Sequence, residues 1–232
     1  MDRPALGQSL DLSVDMIAAG RPNRPGRSMA PSHITIHNTS NANAGANALA
    51  HARFVTETGF YVIDGRKRHV SWHYTVDDRR VVKHLPVNEV AFHAGSGNAR
   101  SIAIEICMQA GIDQGAANDR AARLVAALMH DLGIPKARVV THEHWTGKHC
   151  PVLLRAGFAG FVSRAQAHLD AIGPSGAETT GDPDELVTGD ERTAIRESAE
   201  DGTEALAPEL LEADDPHPGA LAPEGAEPEP GV

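Results

Sequence analysis

The segment His33-Ile-Thr-Ile-His37 alternates polar and apolar side chains, the period of a half-buried strand. Ala42–Glu57 is rich in alanine with Leu49, Phe54 and Val55 among them, and reads as a helix. Trp72–Val76 and Val81–Leu85 enclose Asp77-Asp78-Arg79-Arg80, which predicts a hairpin with a charged turn. Val90–His93 and Ile102–Cys107 are further strand candidates, the second apolar throughout except for Glu105. Asn118-Asp119 can cap a helix running to about Leu132, since Leu124, Val125, Leu128, Met129 and Leu132 recur at spacings of three and four. Gly133 and Pro135 supply its stop. Arg138–Thr141 reads as a short strand and Val152–Ile172 as a closing helix. Strands alternating with helices, one hairpin among them, predict an α/β fold with a central mixed sheet flanked by helices.

Charge divides the chain in two. Residues 1–170 carry 19 Lys+Arg against 14 Asp+Glu, a net of +5, whereas residues 171–232 carry 2 against 17, a net of -15. From about Gly173 the chain has no aromatic residue, is rich in Pro, Gly, Ala and Glu, and holds few large apolar groups. Such a composition does not offset roughly 1–2 kcal/mol of backbone entropy per ordered residue. The expectation is one folded domain over residues 1–172 and an acidic, disordered tail over 173–232, with a transient helix around Asp190–Glu200. No apolar run approaches 18 residues, so no membrane insertion is expected. The amino terminus lacks the pattern of a secretory signal, so synthesis is expected in the cytoplasm with no export route of the usual kind. Cys107 lies in an apolar run and Cys150 beside histidines and a proline, which favours a buried thiol and a metal thiolate over a disulfide.

Twelve of the 13 histidines fall in the folded part, and their positions inform more than their number. Thr141-His-Glu-His-Trp-Thr-Gly-Lys-His-Cys-Pro151 follows directly on a predicted strand and gathers histidines, a lysine and a thiol in one loop. Zinc takes neutral imidazole and thiolate donors converging from separate segments. His142 and Cys150 are far enough apart for a loop to fold back onto one ion, and His37 ends the first strand. Three protein ligands would leave a fourth position open, as in catalytic sites. Spacing alone leaves the metal reading and a purely structural one both standing.

Five blocks in one order carry a resemblance: Ile34-Thr-Ile-His37-Asn-Thr, Ser71-Trp-His-Tyr-Thr-Val-Asp-Asp78, Asn88-Glu-Val-Ala-Phe-His-Ala-Gly95, Ser101-Ile-Ala-Ile-Glu-Ile-Cys107 and the His142–Pro151 segment. Together, from about Asp15 to Phe161, they resemble the zinc-dependent N-acetylmuramoyl-L-alanine amidases of phage endolysins, related to peptidoglycan-recognition proteins. The resemblance implies that His37, His142 and Cys150 hold Zn2+, with Glu105 carrying the proton and Lys148 stabilising the oxyanion. His144 is then not a ligand, since alternate residues of an extended segment face opposite ways, and His149 faces solvent. Some family members place a catalytic tyrosine where this chain has Trp72, whose indole only donates. His93, Asn98, Trp72 and His73 are expected along the substrate groove, with structural roles for the histidines equally open.

The activity so implied is hydrolysis of the amide between N-acetylmuramic acid and L-alanine in peptidoglycan, by a phage or prophage endolysin reaching the wall after holin-type release. A muropeptide-recycling amidase and a non-catalytic peptidoglycan-binding module are the alternatives. The expected partner is the peptidoglycan or muropeptide substrate, with no nucleic acid and a monomeric chain.

Overall fold

The computed structural model describes residues 2–172 and 186–200, the last five as backbone alone. A six-stranded sheet forms its centre, in the order β1-β6-β5-β7-β2-β8. These strands are β1 (Leu12–Val14), β2 (His33–Asn38), β5 (Tyr74–Val76), β6 (Val81–Lys83), β7 (Ser101–Ile106) and β8 (Val139–Thr141). Only β5 and β6 pair antiparallel; the other neighbours run parallel, so the sheet is mixed as the sequence pattern predicts.

Alternation along the central strands separates two faces. Ile34 and Ile36 of β2, Ile102, Ile104 and Ile106 of β7, and Tyr74 and Val76 of β5 join the main apolar core. That core is roofed by α3 (Gln114–Leu132) and α5 (Phe158–Asp170). The alternate residues Thr35, His37, Ser101, Ala103, Glu105 and Thr75 face the other side and are buried there as well. A sheet buried on both faces explains why β7 reads as nearly continuous apolar sequence.

Several boundaries differ from the expectations. The helix expected over 42–57 is α2 (Ala48–Arg53), capped by the Asn47 side chain and continued by a π-helical turn over Phe54–Thr58. A second sheet, β3 (Phe60–Ile63) with β4 (Arg66–His69), is additional. Its turn is Asp64-Gly65, both at positive φ, the residue pair such hairpins favour. Val90–His93 is not a strand: Val90 N bonds Arg27 O and Phe92 O accepts from Ser71 N, so the run is buried as irregular backbone. Helix α3 starts four residues before Asn118, because Asp113 accepts from Ala116 N and caps it. The closing helix begins only at Phe158, after a short 3₁₀ turn over Arg155–Gly157.

In the described part of the acidic tail a helix stands where the transient one was expected, and the residues ahead of it are packed. Leu186 and Val187 are buried in the main core, and helix α6 (Gly189–Glu200) follows. Thr188 and Glu191 form a reciprocal cap: Glu191 N donates to Thr188 Oγ1 at 3.2 Å and Thr188 N to Glu191 Oε2 at 2.6 Å. Glu191 also accepts from buried Lys83 Nζ of β6 at 2.8 Å, while the Tyr74 hydroxyl donates to Leu186 O at 2.5 Å. Tail-average composition hides this, because Leu186 and Val187 stand just ahead of Glu191, the acid that meets Lys83, within a segment dominated by acidic residues. The rest of the tail expectation, over 173–185 and 201–232, lies outside the described residues.

Ending the chain after residue 172 is therefore expected to destabilise the domain by several kcal/mol, since it exposes the cover of two apolar side chains and leaves Lys83 without Glu191. Thermal unfolding of the two lengths checks this; equal midpoints would show that the 186–195 contacts contribute nothing.

Candidate metal and catalytic site

The end of β2 places His37 in register with Glu105 of β7, which in turn aligns with Thr75 of β5. Glu105 thus lies on a central strand, 2% exposed, which rules out an acid on a solvent-facing edge. From β8 the chain turns directly into α4 (His142–Thr146), where the Thr141 hydroxyl accepts from His144 N and Gly147 closes the helix at φ 78°. The first residue of α4, His142, is fully buried and its ring centroid lies 4.7 Å from that of His37.

The loop after α4 returns to the same point. Glu143 N donates to Cys150 O, and Leu153 N donates to the side-chain oxygen of Asn38, the residue after His37. Arg155 binds Glu143 through both carboxylate oxygens and holds its carboxyl below the usual range. Cys150 Sγ comes to 3.8 Å from His37 Nδ1 and Glu105 Oε1 also to 3.8 Å from that nitrogen. One donor atom each from His37, His142 and Cys150 lie within 4.8 Å of one another, all buried. Two imidazoles and a thiol converging from three segments are a donor set suited to zinc, so the residues present fit that ion.

Lys148 sits in this loop two residues before Cys150, its backbone N donating to Thr146 Oγ1 and its carbonyl accepting from Cys150 N. His149 points outward, its side chain 72% exposed. His144 is exposed, stacks against His33 and meets Trp145 edge-on. Residues 142–146 are helical rather than extended, so it is the helical rotation of about 200° over two residues, not strand alternation, that turns His144 away from His142.

The four expected groove residues, Trp72, His73, His93 and Asn98, are all buried to within 3% of complete, with internal hydrogen bonds. Trp72 Nε1 donates to Thr75 Oγ1 at 2.7 Å, and Thr75 donates to His84 Nε2 at 2.9 Å. His73 donates from Nε2 to Glu89 O and accepts at Nδ1 from Ala103 N. Asn98 Oδ1 accepts from both His93 N and Ala94 N. His93 Nδ1 lies 3.0 Å from His37 Nε2, beside the metal-site histidine.

Burial holds His73 and His84 neutral, each with a pKa lowered to about 4. Their folded pKa lies below the unfolded value, so the stability they contribute is complete above about pH 6.5 and is lost as pH falls towards 4. Each accounts for on the order of 3 kcal/mol over that window. Urea unfolding at pH 7 and 4.5 is expected to show a large drop that His84→Gln diminishes; an unchanged pH slope in that variant would remove His84 as a source.

Residues 27–152, more than half of the chain, match the N-acetylmuramoyl-L-alanine amidase family. The chain belongs to that family. It is 41% identical over 174 residues to N-acetylmuramoyl-L-alanine amidase XlyA of Bacillus subtilis, covering 73% of this chain and 54% of XlyA. It is 44% identical to the amidase CwlH of the same species, over 66% of this chain and 60% of CwlH. The chain therefore spans a little over half the length of these relatives. The solved catalytic domain of XlyA superposes with a TM-score of 0.61, covering 67% of this chain and 99% of that domain. A solved mutant endolysin from Bacillus subtilis, 40% identical, gives the same TM-score of 0.61 over 67% of this chain and 99% of that one. Membership accounts for the mixed sheet flanked by helices.

Proposed function

We propose that this amidase-family chain hydrolyses the amide joining the lactyl group of N-acetylmuramic acid to L-alanine in peptidoglycan, as a lytic enzyme of a phage or prophage. The observation that carries the reading is the buried His37–His142–Cys150 cluster with Glu105 beside it. The similarity to a solved endolysin supports the lytic setting. His37, His142 and Cys150 would hold zinc, which would supply Lewis acidity towards the amide carbonyl and lower the pKa of an attacking water towards about 7.

The protein's own residues do the rest. Glu105 accepts the proton of the attacking water and delivers it to the departing L-alanine nitrogen. Its place on a central strand fixes the carboxylate relative to His37, which is the positioning that proton transfer requires. The Lys148 ammonium stabilises the negative charge that develops on the carbonyl oxygen. Asn38 and Glu143 keep the Cys150 loop against the end of β2 and so preserve the cluster geometry. No helix among the described residues is long and apolar enough to cross a membrane.

Comparing intact sacculi with soluble muropeptides as substrates tests this reading. Release of L-alanine amino ends from sacculi is the expected result. Cleavage of soluble fragments alone would establish a recycling amidase, and tight binding of zinc-loaded protein without cleavage would establish a binding module.

A further inference from the structure

The polar contacts behind His37 form a chain whose direction is set at both ends. At one end the Trp145 indole, which can only donate, lies 2.9 Å from Thr35 Oγ1. Thr35 therefore accepts there and directs its own proton to Ser101 Oγ at 2.8 Å. At the other end the Gly97 carbonyl, which can only accept, lies 2.8 Å from Ser101 Oγ and takes the serine proton. Ser101 Oγ can then only accept from His93 Nε2, 3.4 Å away. With its proton on Nε2, the neutral His93 ring presents a lone pair at Nδ1, 3.0 Å from His37 Nε2. His37 must donate across that contact, which leaves the lone pair of its Nδ1 facing Cys150 Sγ and Glu105 Oε1.

We propose that His93 is the positioning residue that sets the tautomer of His37, and that the Trp145–Thr35–Ser101 chain sets His93 in turn. The inference rests on the reading of His37 as a metal ligand. A ligand nitrogen must be free of its proton, so the proton has to reside on the other nitrogen. At a fully buried ring, that proton needs an acceptor of its own. His93 is held for this task, since Asn98 grips its backbone N and that of Ala94.

The chain also joins two of the three metal-site segments. Trp145 belongs to α4, the helix that begins with His142, and its indole lies flat on Gly97. A Cβ at Gly97 would come within 2.8 Å of the indole ring, so only glycine permits this approach. One indole thereby anchors the helix carrying His142 and starts the hydrogen-bond chain that ends at His37.

The test uses substitutions that keep or lose the acceptor at one place. In His93→Asn the side-chain oxygen sits on Cγ, as Nδ1 does in histidine, so an acceptor for His37 is retained. In His93→Gln the amide lies one atom further out, near the position of Nε2. Ser101→Ala removes the acceptor that keeps the His93 proton on Nε2, with little change of volume. Zinc dissociation constants are measured by chelator competition, and the absorption of the cobalt-substituted protein reports the coordination geometry.

His93→Gln and Ser101→Ala are expected to weaken zinc binding about 10–100-fold, with an altered cobalt spectrum, while His93→Asn stays close to the parent. Unchanged affinity and spectrum in His93→Gln and Ser101→Ala would overturn the proposal. So would equal losses in His93→Asn and His93→Gln, which would signify packing alone. A parent protein that binds no zinc would instead overturn the metal reading itself, and this inference with it.

Discussion

Replacing Glu105 by glutamine is expected to lower turnover on purified peptidoglycan by about 10²–10⁴-fold, with zinc stoichiometry unchanged. The substitution keeps the shape and most of the hydrogen-bonding capacity of the side chain but removes its ability to accept a proton. Glu105 is buried in the middle strands of the sheet, in register with His37 and 3.8 Å from its Nδ1. A carboxylate in that position is costly to bury and is retained where it has a task. Steady-state rates together with metal analysis separate the two roles open to it. Loss of rate with full zinc content assigns proton transfer; loss of both would assign Glu105 to maintaining the metal site; an unchanged rate would remove it from the chemistry.

Cys150→Ala is the second large effect. Complete four-ligand zinc sites bind with roughly 10–16 kcal/mol, or about 3 kcal/mol per ligand. Losing one ligand is then worth a factor of about 100 or more in affinity. The loop itself should keep its path, because Leu153 N still bonds Asn38 and Arg155 still bonds Glu143. Chelator competition is expected to show the weakened binding with a near-native circular dichroism spectrum. Parent-like affinity would take Cys150 out of the ligand set, and would leave His37 and His142 to hold the ion with some other donor.

Much of this site is legible in the residue pattern because the sheet obeys a simple period. His33-Ile-Thr-Ile-His37 and Ser101-Ile-Ala-Ile-Glu105 alternate in phase, so His37 and Glu105 fall on the face opposite the isoleucines. The same period carries Thr35 and Ser101 to that face, and in that respect the positioning chain was readable as well. Its closing contact was not, since Trp145 reaches Thr35 across 110 residues of sequence. Buried roles for Trp72, His73 and His93 were equally hidden, because nothing local distinguishes a histidine satisfied by a distant carbonyl from one facing a groove. Val90–His93 looks like a strand because it is largely apolar, yet its partners are the Arg27 carbonyl, the backbone N and hydroxyl of Ser71 and the Asn98 side chain rather than a neighbouring strand. In the acidic tail the signal existed: Thr188-Gly-Asp-Glu191 is a capping box that follows Leu186-Val187. The helix itself was expected around Asp190–Glu200, but averaging over a segment with a net charge of -15 concealed the burial of Leu186 and Val187.

Digestion of purified cell walls in ¹⁸O-labelled water, followed by mass spectrometry of the fragments, tests the central claim most directly. Hydrolysis of the muramoyl–alanine amide predicts one heavy oxygen in the lactyl carboxylate of N-acetylmuramic acid and an unlabelled, newly free L-alanine amino end. Heavy oxygen at a sugar reducing end, or at a carboxylate within the stem peptide, would contradict it.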